Sequence, residues 1–197
     1  MSSYEKPDFW AQKAKKEGYP ARSVYKLQEI DKKFSLVKTG TRILDIGAAP
    51  GSWSLWTLKK LSGTGFLAAV DLQDLAFAEP RPNFYFIKGD LYDAAVRSAL
   101  LSRGPYGLVM SDAAPATTGN RFVDQSQSEA IVEAVVSYAE ESLSRGGSLI
   151  AKIFQGGAEA AILKRLRSRF GAARGFKPEA CRSESFEIYL VATGFKG

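Results

Sequence analysis

The chain has 197 residues, 45% of them hydrophobic, and a formal net charge of +6, the size and richness of one domain with a sizeable core. One cysteine and no histidine exclude an internal disulfide, a zinc cluster and a Ser/His/Asp or Cys/His triad, so no metal site is expected and any general base must be Lys, Asp, Glu or Tyr. No apolar run approaches the roughly 18 residues of a membrane span, and the opening MSSYEKPDFWAQKAKK lacks the apolar centre of a secretory signal, which predicts a cytoplasmic protein.

Residues 1–40 hold nine Lys/Arg against five Asp/Glu, among them Lys6, Lys13, Lys15, Lys16, Arg22, Lys26, Lys32 and Lys33. Such a cluster is a polyanion footprint or an ordinary solvated face. Within it, 21–34 reads as a helix with Pro20 near its first turn, where a missing N–H costs nothing. Phe9, Trp10, Tyr19 and Tyr25 lie among these charges; they can stack on unpaired bases or pin the segment to the core, and the second role is expected of Tyr25.

Beyond residue 40, short apolar runs alternate with helical patterns, the signature of βαβ units and a mostly parallel sheet. The predicted strands are 42–45 (RILD), 66–71 (FLAAVD), 84–90 (FYFIKGD), 107–112 (GLVMSD), 148–154 (SLIAKIF) and 186–195 (FEIYLVATGF). Helices are predicted at 52–61, 93–101, 124–143 and 158–170, and 113–121 (AAPATTGNR) is the most loop-like stretch. Residues 158–177 carry six Lys/Arg against one Asp/Glu, including Lys164, Arg165, Arg167, Arg169 and Arg174, a second candidate polyanion contact.

Four runs end in an aspartate: Asp45, Asp71, Asp90 and Asp112. The carboxyl ends of parallel strands border the ligand crevice of an open sheet, so these acids line one cleft unless they merely cap helices or turns. The loop from Asp45 through Gly47, Pro50 and Gly51 to Trp53 is glycine-rich and enters a helix, which is how a nucleotide cofactor is held by backbone contact. A dinucleotide fits poorly: the G-x-G-x-x-G spacing is absent, Pro50 removes a donor, and Asp45 sets a negative charge near a pyrophosphate. S-adenosylmethionine, with a positive ammonium and a positive sulfonium and no phosphate, suits the acids. Asp71 then suits the ribose hydroxyls, and Asp90 the adenine amino group.

Lys152 interrupts a core strand, where an ammonium is expensive unless it pairs with an acid or gives up its proton; snorkelling at a strand end is the plainer alternative, and function is favoured. Glu187 interrupts the last strand, although taken alone it is better accounted for by a water-facing position on an alternating strand. Lys26 by itself is an ordinary helix lysine.

The segments GYPARSVYKLQEIDKKF, LDIGAAPGSW, VDL, GD, MSDAAP, AKIFQG and EIYLVATGF, in that order from about Phe9 to the end, resemble the FtsJ/RrmJ family of ribose 2′-O RNA methyltransferases. The resemblance implies an α/β, Rossmann-like S-adenosylmethionine-dependent fold: a mostly parallel seven-stranded sheet, its last strand antiparallel, with helices on both faces. It implies a Lys-Asp-Lys-Glu tetrad at Lys26, Asp112, Lys152 and Glu187, and cofactor contacts at Gly51, Trp53, Asp71, Asp90 and Asp112. Pro20 departs from it, standing where relatives often carry a basic residue.

An SN2 transfer to a ribose hydroxyl needs the oxygen in line and relieved of its proton. Lysine can serve as base where burial and a second cation disfavour its charged form, which makes Lys152 the leading candidate. Asp112 would orient it, Lys26 steady the alkoxide or a phosphate, and Glu187 position a lysine. The acids oppose deprotonation, and a Lys152 that stays charged and only orients the hydroxyl is the alternative. The expectation is a single domain over 1–197, with 1–40 a basic helical RNA-contacting segment. It methylates RNA, foremost a uridine of large-subunit ribosomal RNA, with a tRNA anticodon loop or an mRNA cap as alternatives. Asn120 and Thr117 are further candidates for RNA contact. The rival classes are a nicotinamide-dependent oxidoreductase and a non-catalytic RNA-binding module.

Overall fold

The structure, a computed structural model, describes residues 8–77, 81–182 and 184–197; Lys6 of the basic segment lies outside them. In chain order the elements are α1 (Phe9–Lys16), α2 (Val24–Phe34), β1 (Arg42–Ile46), α3 (Ser52–Leu61), β2 (Phe66–Asp71), β3 (Phe84–Lys88), α4 (Ala94–Leu101), β4 (Tyr106–Ser111), α5 (Arg121–Ser142), β5 (Leu143–Phe154), α6 (Ala158–Arg169), β6 (Phe170–Phe176) and β7 (Glu187–Phe195). Among the described residues the seven strands form one sheet in the order β3-β2-β1-β4-β5-β7-β6. β7 runs antiparallel to both its neighbours while the pairings from β3 through β5 are parallel. This is the Rossmann-like methyltransferase architecture expected.

Helices cover both faces, and strand alternation sorts the core between them. Leu44, Ile46, Val109, Leu149 and Ala151 pack with Val96, Val132, Val136, Ile162 and Leu166 of α4, α5 and α6. Their neighbours Ile43, Leu108, Met110, Ile150, Tyr189 and Val191 pack with Leu27, Ile30, Trp53, Leu58 and Leu61 of α2 and α3. Period two then carries Asp45 after Ile43, Asp112 after Met110, Lys152 after Ile150, and Glu187 before Tyr189 onto the α2–α3 face. Among the described residues no helix is long and apolar enough to cross a membrane.

Several boundaries and one element differ from the sequence-based expectation; β5, for one, begins at Leu143 rather than residue 148. α2 begins at Val24 rather than residue 21, because the Ala21 N–H donates to Ser52 Oγ at 2.7 Å and Tyr25 and Lys26 close short turns onto Arg22 and Ser23. α5 begins at Arg121, where Asn120 Oδ1 accepts from the Phe122 and Val123 N–H groups; the Asn120 side chain is therefore a helix cap. β6, with the sequence FGAARGF, has no counterpart among the predicted strands: two glycines and an arginine hide an edge strand that only pairing with β7 makes regular.

Candidate active site

The loop after β1 is held from below. The Gly47 and Ala48 N–H groups both donate to the Val70 carbonyl of β2, at 2.9 and 3.1 Å, and the Ala49 N–H donates to Asp71 Oδ2 at 2.9 Å. Gly47 and Gly51 have φ of +76° and +109°, the left-handed region that glycine enters without strain. Above the loop, at the carboxyl edge of the sheet, lies a cavity of about 490 Å³ whose walls include Gly47, Asp71, Asp90 and Asp112 together with Leu72, Tyr92 and Pro115.

Among the described residues, three carboxylates and no lysine or arginine line this cavity. Such a donor set repels a pyrophosphate and fits a cationic ligand carrying hydroxyl and amino donors. Asp71 gives one lone pair on each oxygen to backbone, Oδ2 to Ala49 and Oδ1 to the Gln73 N–H at 2.9 Å, and each oxygen keeps one for a ligand. Asp90 likewise gives one oxygen to the Tyr92 N–H at 2.9 Å. Leu72 and Tyr92 are 66% and 61% exposed, apolar surface beside these acids for a flat ring to cover.

The other four residues assigned to the cofactor stand outside the cavity wall. Asp45 is completely buried and points at α3, where Ser54 Oγ donates to its Oδ2 at 2.6 Å. Trp53 is buried and its indole N–H donates to the Ser23 carbonyl at 2.8 Å. Pro50 faces solvent, and a side chain on Gly51 would meet the Phe77 ring at 2.5 Å. These four residues lie in or behind the loop and its helix and are not part of this cavity's lining.

Burial, then the charges of Asp112 and Asp71, push the Asp45 carboxyl up to about 7, against the opposing Ser54 hydrogen bond. Among the described residues Asp45 Oδ1 has no hydrogen-bond partner. An acid with a raised folded-state value stabilises the fold below its unfolded value and loses that contribution as pH rises through about 7. Asp45→Asn should therefore match the wild type in thermal midpoint near pH 4 and exceed it at pH 8. Melting curves across that range check the sign.

The tetrad residues assemble on the α2–α3 face as two ion pairs. Lys26 Nζ of α2 lies 2.5 Å from Glu187 Oε1 at the start of β7. Lys152 Nζ donates to the Asp112 carbonyl at 2.6 Å and lies 3.1 Å from Asp112 Oδ1. All four side chains are at most 15% exposed. Between the pairs stands Tyr189, directly opposite Lys152 in the ladder. Its hydroxyl donates to Asp112 Oδ1 at 2.6 Å, and its ring centroid lies 6.0 Å from Lys26 Nζ. Burial first, then the Asp112 charge, holds the Tyr189 hydroxyl well above its ordinary value, so it remains a donor. Tyr189 is absent from the residues that the sequence singles out, yet its spacing of two from Glu187 in EIYL is a usable signal.

Tyr25 is buried at 2% exposure and packs on Trp10, which anchors the N-terminal segment. In the second basic segment Arg165 pairs with Glu133 and Glu140 of α5, and Arg169 approaches Glu140. Those two charges are therefore less available to a polyanion than the sequence suggests.

Comparison with known proteins agrees with this geometry. The sequence model of the FtsJ-like methyltransferase family matches residues 19–195. The chain belongs to the FtsJ-like methyltransferase family. A ribosomal RNA large subunit methyltransferase E of Treponema denticola is 48% identical over 196 residues, spanning 100% of this chain and 98% of the relative. The protein of that name in Borrelia duttonii is 52% identical over 190 residues, 95% of this chain and 96% of the relative. Among solved structures, a ribosomal RNA methyltransferase of Plasmodium falciparum superposes with a TM-score of 0.78 at 28% identity, covering 91% of this chain and 100% of that one. MycE methyltransferase, solved with Mg and SAH, is 17% identical with a TM-score of 0.58, covering 97% of this chain and 50% of that one; it shares the fold alone.

Proposed function

We propose that this protein transfers a methyl group from S-adenosylmethionine to a ribose 2′-hydroxyl of large-subunit ribosomal RNA, a uridine foremost, in the cytoplasm. One observation carries the reading: the Lys152–Asp112 and Lys26–Glu187 pairs stand together beside a cavity that Asp112 also lines. The names of the relatives support RNA of the large subunit as substrate.

Asp71 and Asp90 would hold the cofactor's hydroxyl and amino donors, and Asp112 its cationic end; when bound, the cofactor supplies an electrophilic methyl on sulfur. Lys152 directs two contacts at Asp112, which supports a place for its nitrogen beside the 2′-oxygen. From there it holds the hydroxyl and accepts its proton as the oxygen attacks. Lys26, pinned by Glu187, supplies the second positive charge that steadies the developing alkoxide. Tyr189 keeps the Asp112 carboxylate from rotating away. The whole chain acts as one domain, with residues 1–40 as the basic RNA-contacting segment.

The test is transfer of labelled methyl from S-adenosylmethionine to large ribosomal subunits lacking the modification, run beside tRNA and capped RNA, with the product nucleosides resolved. The expected product is a 2′-O-methyl nucleoside from the large subunit. Label on a base atom overturns the ribose assignment, label in tRNA or cap alone moves the target, and no label with tight RNA binding leaves a non-catalytic module.

A further inference from the structure

The Asp112 loop ends at an arrangement that the methyl-transfer chemistry leaves unused. After Asn120 caps α5, Arg121 and Phe122 form the helix's first turn. Phe122 is 77% exposed. The Arg121 guanidinium lies 5.0 Å from the centroid of Phe186, and Phe186 stands edge-on to Phe154 at 4.8 Å. Phe186 immediately precedes Glu187 in the chain, and Phe154 is the ladder partner of Glu187 two residues beyond Lys152. This aromatic and basic group therefore sits at the same carboxyl edge as the tetrad, beside the N-terminus of α5.

A single exposed phenylalanine is ordinary. This one stands on an anchored turn. The Asn120 cap, the Thr118 N–H and hydroxyl donated to Asp124 at 2.8 and 2.7 Å, and the Gln125 side-chain N–H donated to the Gln155 carbonyl at 2.5 Å anchor the turn on every side. Its ring offers an exposed aromatic face on an anchored backbone turn, and the residue before it is a cation that itself lies over the Phe186 ring. Successive unpaired bases of RNA bind to that combination of π-face and guanidinium with little regard for base identity.

We infer that Arg121, Phe122 and Phe186 form a stacking surface for an unpaired nucleobase next to the target ribose, with Phe122 stacking the base and Arg121 meeting the phosphate beside it. The inference rests on the proposed RNA substrate and names how the strand leaves the tetrad on the α5 side. A base splayed onto Phe122 pulls its neighbour out of the helical stack and so presents the 2′-hydroxyl to Lys152.

The experiment uses the full chain with Phe122→Ala, Phe122→Leu, Phe122→Trp and Arg121→Ala. Two readouts are scored separately: KM and kcat on unmethylated large subunits, and binding of a single-stranded RNA carrying 2-aminopurine, whose fluorescence is quenched by stacking. Phe122→Ala is expected to raise the RNA KM about tenfold and abolish the quench, with the S-adenosylmethionine KM unchanged. Phe122→Trp restores both, Phe122→Leu restores neither, and Arg121→Ala weakens RNA binding most at low salt. An unchanged quench and RNA KM in Phe122→Ala, or rescue by Leu equal to that by Trp, overturns the inference. If the wild type methylates no RNA, the proposed function fails, and the quench alone decides the stacking surface.

Discussion

Lys152→Ala is expected to lower single-turnover methyl transfer about 10³-fold, within the range that general base catalysis contributes, and to leave cofactor affinity within about twofold of wild type. Lys152 touches Asp112 but does not border the cavity that Asp71 and Asp90 line, so its loss falls on the chemical step. Lys152→Arg separates the two readings of this residue. A guanidinium keeps the positive charge and the reach to Asp112 but cannot give up its proton in a protein. If Lys152 accepts the proton, Arg is as inactive as Ala; if it only orients the hydroxyl, Arg recovers a large part of the rate. Single-turnover rates of both variants, with cofactor binding by calorimetry, decide this.

Gly47→Ala is expected to lower cofactor affinity by about a hundredfold or more and the thermal midpoint by about 10 °C. An added Cβ would lie 2.5 Å from the Ala113 Cβ and 2.7 Å from its Cα. One of these neighbours is main chain, so the loops after β1 and β4 must part. Those loops carry Ala49, tied to Asp71, and Asp112, the two ends of the cofactor cavity. The left-handed φ adds strain for any L side chain, and the combined cost is roughly 2–4 kcal/mol, which at this chain length shifts the midpoint by several to about 15 °C. Gly40→Ala is the control. It has the same φ of +76° and nothing within 4 Å of its added Cβ, so it carries the conformational cost without the clash and should lose only a few degrees with cofactor affinity intact. An equal loss of affinity in both variants would mean that strain, not loop separation, disables the site.

Much of this site is legible in the amino-acid sequence alone. The aspartates ending the strands, the loop from Asp45 to Trp53 and the lysine inside SLIAKIF each break the expectation for a buried strand or a tight turn, and breaks of that kind mark places where chemistry outweighs packing. The four-residue tetrad is another matter. Glu187 and Lys26 look ordinary alone, and their grouping comes from the resemblance to a family, not from spacing, since 161 positions separate them.

Sequence by itself determined which residues are buried and on which face of a strand they lie, because period two is a local property of the extended chain. It thus determined that Asp112, Lys152 and Glu187 share a side with Met110, Ile150 and Tyr189. Tertiary structure decided what those residues touch. It joined Asp45 to Ser54 and Trp53 to Ser23, brought Lys26 onto Glu187, made a strand of FGAARGF, tied Arg165 to α5, and placed Tyr189 on Asp112. Each of these depends on the distance between segments far apart in the chain, and that distance is fixed by sheet order and helix packing, which no local pattern encodes.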